Sequence, residues 1–360
     1  MKKSIILITF LLCIHLAKAD SLDIKIGQMI MIGMNGKAVT SESPILKDIQ
    51  KGLVGGILLY EYNLQTTNTK AALQNMTSAL QDASKIPLLI SIDQEGGQVN
   101  RLKEKYGFPY MPSAKYVGNK NQDDYTEQVG KTIAQSLISV GINLNYAPVL
   151  DVNNPNCPVL GKRSRCFSSN TNVITHIASI LINAHREQGV RTVVKHFPGH
   201  GNSQTDSHLG MADVSKYWQE KELIPYQKLI EAHEVDAIMT AHIINRKLDS
   251  SGLPATLSKV IIQDLLRKKM NYNGVVITDD MQMHAISKFY GFEESIKKAI
   301  LAGVDILMFS NNIKGASNYS VKNIHSTIKK LVRSHVISEE RINESYKRIM
   351  QLKNNIQGVR

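Results

Sequence analysis

Eight short apolar, β-branched runs recur along the 360 residues, each followed by polar residues and then by a longer stretch with helical spacing. They occupy positions 26–34, 54–60, 88–93, 142–150, 191–196, 237–242, 275–278 and 304–309. Near-continuous apolar strands alternating with helices make a parallel sheet covered on both faces. Between the runs, Val129, Ile133 and Leu137 recur every four residues, as do Leu257, Ile261 and Leu265, giving each segment one apolar stripe. Ser258 is placed to cap the second of these helices, and Gly303 to stop another just after Ala302. The rhythm predicts an α/β protein, a (β/α)8 TIM-type barrel in a single domain, with a doubly wound open sheet as the alternative.

A barrel gathers its chemistry where strands end. Asp93 ends the third run and Asp151 follows the fourth; Lys195 and His196 end the fifth, His242 ends the sixth and Asp279 follows the seventh. Buried apolar strands have no need of charge at their carboxyl ends, so this clustering points to an active site. The segment Lys195-His196-Phe197-Pro198-Gly199-His200-Gly201 is followed closely by Asp206-Ser207-His208. Two glycines and a proline shape a tight turn there. Asp206, two residues before His208, is placed to orient its imidazole and favour the protonated ring, as a general acid requires. Asp279 suits a nucleophile or base in the barrel mouth, while its neighbour Asp280 points elsewhere. Asp93-Gln94-Glu95-Gly96-Gly97, with Arg101 eight residues after Asp93, brings short acids and a guanidinium suited to sugar hydroxyls.

The first 19 residues form a separate segment. Lys2 and Lys3 precede an apolar run from Ile5 to Leu16, and Ala17-Lys18-Ala19 offers small residues at the two positions a signal peptidase reads. Residues 1–19 are therefore expected to be a signal peptide, with 20–360 as the catalytic domain of an exported protein, periplasmic or secreted; a retained anchor is the alternative. No later stretch has 18 consecutive apolar residues, so no membrane span is expected after cleavage. Cleavage also removes Cys13 and leaves Cys157 and Cys166, an even pair that in an exported protein suggests a disulfide, two free thiols being the other reading. The formal charge of +12 falls to +9 without Lys2, Lys3 and Lys18. No basic block with interleaved aromatics accompanies it, so nucleic acid is not expected as a partner.

Taken together, KHFPGHG at 195–201, DSH at 206–208, DQEGGxVxR at 93–101 and ITDDM at 277–281 resemble glycoside hydrolase family 3, in particular its bacterial single-domain β-N-acetylglucosaminidases. The resemblance runs from about Ile26 to the last helices. It implies that Asp279 is the nucleophile, that His208 is the acid/base held by Asp206, and that Asp93, Arg101, Lys195 and His196 hold a non-reducing N-acetyl sugar. It also implies a sugar-binding arginine in the loop Gly161-Lys162-Arg163-Ser164. There the chain departs from the family, which runs from Arg-Ser directly to Phe; Arg165-Cys166 intervenes before Phe167, leaving Arg163 and Arg165 both open for that role. The insertion supplies Cys166 and so supports its pairing with Cys157. Relatives that recycle cell-wall fragments usually work in the cytoplasm, whereas an exported chain fits peptidoglycan or its fragments outside the inner membrane.

The implied reaction is retaining hydrolysis of terminal β-linked N-acetylglucosamine, with no metal and no cofactor. Four other readings compete with it: attack by the substrate's own acetamido group, a family 3 β-glucosidase, a metal hydrolase using His196, His200, His208 and His242, and a noncatalytic wall-binding protein. The DSH loop argues against the glucosidase, and the lack of a tight His-x-His at a strand end argues against the metal enzyme. The oligomeric state and the natural aglycone stay open.

Overall fold

The computed structural model describes residues 21–205, 210–313, 317 and 319–356. The expected signal segment, Asp206 and His208 lie outside the described residues. Among the described residues ten strands are formed: β1 Ile30–Gly33, β2 Gly56–Leu59, β3 Leu89–Ile92, β4 Leu144–Asn145, β5 Arg191–Phe197, β6 Ala212–Asp213, β7 Ala237–Thr240, β8 Ile243–Ile244, β9 Val275–Thr278 and β10 Leu307–Phe309. Eight of them make one parallel sheet in the order β10-β1-β2-β3-β4-β5-β7-β9. A parallel bridge between Ile277 and Ile306 brings the two ends of that sheet together. The result is the expected (β/α)8 barrel, nearly closed, with helices flanking it. β6 and β8 pair separately in parallel.

Six of the runs extend beyond their strands, and the two largest excesses have identifiable reasons. Residues 22–28 of the first region are helical, because Ser21 caps them by accepting a hydrogen bond from the Ile24 amide; the strand starts only at Ile30. In the fourth run, β4 pairs over Leu144 and Asn145 alone. Pro148 follows, has no N–H to donate, and leaves a single bridge between Val149 and Lys195 beyond it. The first helical stripe is where the spacing predicts, whereas in the second Leu257 lies in a short turn before the helix and Leu266, not Leu265, joins Ile261 and Ile262 on the buried face. Val129, Ile133 and Leu137 face inward on the helix Asp123–Ile138. Ser258 accepts the Ile261 amide at 3.1 Å and caps the π-type helix Val260–Lys269. Gly303, at φ +113°, ends the helix Phe292–Ala302.

The face of the barrel away from the strand ends is closed by the helices Leu22–Gln28 and Glu339–Asn354. Lys353 on the latter is buried and donates to Gln28 Oε1 and to the Gly55 carbonyl. Asp305, with no exposed surface, takes Arg267 at 2.7 Å, Arg348 at 3.2 Å and Arg341 at 3.3 Å.

The expected disulfide is corrected: Cys157 and Cys166 are both free thiols. They are buried with Val149, Val159 and Leu160 in a small apolar cluster. Cys157 Sγ is directed at the His200 carbonyl, 3.7 Å away, rather than at the other sulfur. Burial pushes both thiols up from their ordinary range.

Candidate active site

A cleft of about 750 Å³ opens at the carboxyl ends of the strands. Asp93, Arg101, Arg163, Lys195, His196 and Asp279 all line it, although they come from four different strand ends. Asp93 follows β3 directly and Asp279 follows β9 directly, while Lys195 and His196 immediately precede Phe197, the last residue of β5.

Lys195 forms the floor of the site. It is 1% exposed, and its Nζ lies 2.6 Å from Asp93 Oδ1 and 2.7 Å from Glu95 Oε1. Arg101 reaches the other Asp93 oxygen at 3.8 Å and stands over the Tyr60 ring. Glu95 is also gripped by Arg165, through Nε at 2.8 Å and Nη2 at 2.7 Å. Burial alone would raise the Glu95 carboxyl, but Arg165 and Lys195 hold it well below the usual carboxylate range. Such a bidentate pair fixes direction as well as charge.

Of the two arginines in the inserted loop, Arg165 is thus committed to Glu95 and to the Val159 carbonyl at 3.0 Å. Arg163 is exposed on the cleft wall.

His196 is oriented from behind. Its Nδ1 sits 2.7 Å from Asp151 Oδ2, and its backbone amide donates to the same oxygen at 3.2 Å. The other Asp151 oxygen accepts the His200 amide at 2.6 Å. Burial opposes the charge on Asp151, yet His196 and the amide hydrogen bond still bring its carboxyl below the ordinary value. His200 is buried, and burial, helped by His196, lowers its imidazole to about 4, so the ring is neutral near pH 7.

The adjacent acids at the end of β9 differ sharply. Asp279 is half-buried and borders the cleft. Asp280 is buried, and its carboxylate accepts from the Ser310 hydroxyl and from the amides of Ser310 and Gln282, both at 3.1 Å. Burial, with a contribution from Asp279, pushes Asp280 up to about 6. The Asp280 amide donates to Asp279 Oδ1 at 2.8 Å, which fixes the direction of that carboxylate. His242 stays behind this strand end, with Nδ1 2.8 Å from Thr256 Oγ1 and Nε2 2.9 Å from the Asp280 carbonyl. Among the described residues, no three His, Cys, Asp or Glu side chains are grouped so as to hold a metal ion.

Sequence reasoning named Asp151 at a strand end, Glu95 among the short acids after Asp93 and Arg165 as a candidate sugar ligand, but missed the supporting contacts they make behind the cleft. Asp151 carried a usable signal, since it follows a strand run. Glu95 carried another, two residues after Asp93.

Fold and cleft define a (β/α)8 barrel whose strand-end carboxylates and cations line one open polar cleft. The family model described as the glycosyl hydrolase family 3 N-terminal domain matches residues 21–352. Beta-hexosaminidase A of Pseudoalteromonas piscicida is 34% identical over 341 residues, covering 88% of this chain and 56% of that protein. A beta-hexosaminidase of Haemophilus influenzae is 33% identical, covering 79% of this chain and 80% of the relative. Among solved structures, a family 3 β-N-acetylglucosaminidase from a Paenibacillus species superposes with a TM-score of 0.84 at 35% identity, over 94% of this chain and 63% of the other. A β-N-acetylhexosaminidase from Beutenbergia cavernae gives 0.82 at 26% identity, over 94% of this chain and all of the other. The chain belongs to glycoside hydrolase family 3. It spans little more than half the length of the Pseudoalteromonas relative.

Proposed function

We propose that this protein is an exo-acting, retaining β-N-acetylglucosaminidase that removes terminal β-linked N-acetylglucosamine. The observation that carries the reading is Asp279, a half-open carboxylate aimed by the Asp280 amide into the cleft that also holds Asp93, Arg101, Lys195 and His196. Its relatives named as β-hexosaminidases and β-N-acetylglucosaminidases supply the sugar class. Asp279 attacks the anomeric carbon while the bond to the leaving oxygen breaks and His208 gives that oxygen its proton. Water then attacks the glycosyl ester, His208 takes the water's proton, and Asp279 is released. An imidazole with a reference pKa of about 6.5 serves both steps near neutrality. Asp93, Arg101, Lys195, His196 and Arg163 bind the sugar hydroxyls and acetamido group.

The rival mechanism, attack by the substrate's acetamido oxygen, needs a free acid beside Asp279. Asp280 does not offer one, because Ser310 and Gln282 occupy its oxygens.

The physiological substrate we infer is peptidoglycan or its fragments, met after export. The N-terminal apolar segment and the charge of +9 on the remaining chain support this. A 5-fluoro-N-acetylglucosaminide trapped on the enzyme and mapped by mass spectrometry tests the mechanism: the label is expected on Asp279, and a site elsewhere refutes the assignment. Release of N-acetylglucosamine from muropeptides, compared with chitin oligosaccharides, tests the substrate.

A further inference from the structure

The turn that follows β5, residues 198–202, is held from two sides. On one side, Asp151 accepts the His200 amide, and a Cβ at Gly201 would lie 2.0 Å from the Val152 carbonyl oxygen. On the other, Trp218 Nε1 donates to the Pro198 carbonyl at 3.0 Å. Glu222 packs against Gly199, whose φ is +117° and where a Cβ would stand 2.8 Å from Glu222 Oε2. Asn202 joins the two walls: its Nδ2 donates to Glu222 Oε1 at 2.8 Å and its Oδ1 accepts from Asn154 Nδ2 at 3.0 Å.

Glu222 is an unusual residue to find there. It is 1% exposed, and neither its Oε2 nor the nearby buried Tyr226 hydroxyl has a hydrogen-bond partner among the described residues. Burying an incompletely satisfied carboxyl is unfavourable, and a leucine would fill the space without that cost. What leucine would lack is Oε1, which accepts from both Asn202 and the Gln219 amide.

We propose that Glu222 and Asn202 are positioning residues for the hydrolytic reaction, fixing the root of the segment that carries the acid/base His208. His208 follows Asn202 by six residues. The inference rests on the reading of His208 given above. Errors of about 1 Å in placing a catalytic group cost on the order of 100-fold in rate, so an anchored root has a kinetic purpose. Burial, reinforced by Asp151 and offset by Asn202, the Gln219 amide and Lys221, pushes Glu222 up to about 7, and Tyr226 faces it from the following helix. Oε1 accepts in the carboxylate and, with the proton on Oε2, still accepts in the acid, so the anchor persists in either form.

The test is a rate series over aryl N-acetylglucosaminides of graded phenol acidity, run on wild type, Asn202→Ala, Glu222→Ala, Glu222→Gln and His208→Ala. Asn202 is partly exposed, so its variant is expected to fold even if Glu222→Ala does not. For Asn202→Ala, kcat/KM, which reports the step that forms the glycosyl ester, should fall about tenfold with the least acidic phenols and less than about twofold with the most acidic, because only poor leaving groups need the acid. Glu222→Gln keeps the accepting oxygen and should match wild type. A loss equal across all phenols overturns the proposal. If His208→Ala shows the leaving-group dependence and Asn202→Ala does not, the anchor alone is wrong. If His208→Ala lacks it as well, the acid/base reading fails and the anchor with it.

Discussion

Asp93, Lys195, Glu95 and Arg165 alternate in sign along the floor of the cleft, and the inner three are nearly sealed from water. Removing one partner from such a row leaves charges buried without compensation, which typically costs about 3 to 5 kcal/mol. Glu95→Gln should therefore lower the denaturant midpoint and raise KM together, as Lys195 and Arg165 lose their shared anchor; an unchanged midpoint would mean water already screens the row. The paired acids after β9 give a second expectation. Asp279→Asn should reduce kcat by about 10³-fold or more, as losses of nucleophiles do, with sugar binding retained. Asp280→Asn keeps an accepting oxygen and should cost far less; steady-state rates on an aryl N-acetylglucosaminide separate the two. The charged strand ends Asp93, Lys195, His196 and Asp279 were legible in the sequence, because apolar strands do not otherwise finish in charge. The partners of Glu95, Arg165 and Asp151 were not, since they lie 45 to 100 positions away in the chain.

At the scale of elements, hydrophobic runs located all eight barrel strands but overstated the length of six, because apolarity reports burial whereas pairing also needs backbone donors. Pro148 cuts β4 short for that reason. The far face of the barrel shows what periodicity cannot see. Asp305, just before β10, accepts from three arginines, from Ser345 at 2.8 Å and from the Val276 amide at 3.0 Å, and so fastens the helix Glu339–Asn354 beneath the strands. Asp305→Asn removes the charge that these guanidiniums share. Amide hydrogen exchange should quicken throughout that helix before it quickens in β1 to β3; uniform protection would show that apolar packing holds the helix unaided.

For the molecule as a whole, stability should carry the mark of Lys353. This side chain meets two carbonyl oxygens and no carboxylate, and burial lowers it from 10.5 to about 7. The unfolded chain binds a proton there that the folded protein declines between those values. Stability is therefore lost as pH falls from about 10.5 towards 7, at up to about 1.4 kcal/mol per pH unit, and the loss is constant below. The Tm advantage of Lys353→Met over wild type should grow over that interval on lowering the pH and then level off; a gap independent of pH would place a charged lysine in the core. The export proposed above has its own whole-chain signature. Intact mass of periplasmic material should show a chain beginning at Asp20, with both thiols alkylated only after denaturation, since Cys157 and Cys166 are buried.

The chain contains one tryptophan, and Trp218 is the residue whose indole N–H is bonded to the Pro198 carbonyl at the start of the turn after β5. Emission excited near the red edge of the absorption band therefore comes from that turn alone, undiluted by signals from elsewhere. Occupancy of the neighbouring cleft, trapping of a glycosyl ester, or loosening of the turn by substitution at Asn202 can each be followed as a change in colour or lifetime, with no label attached.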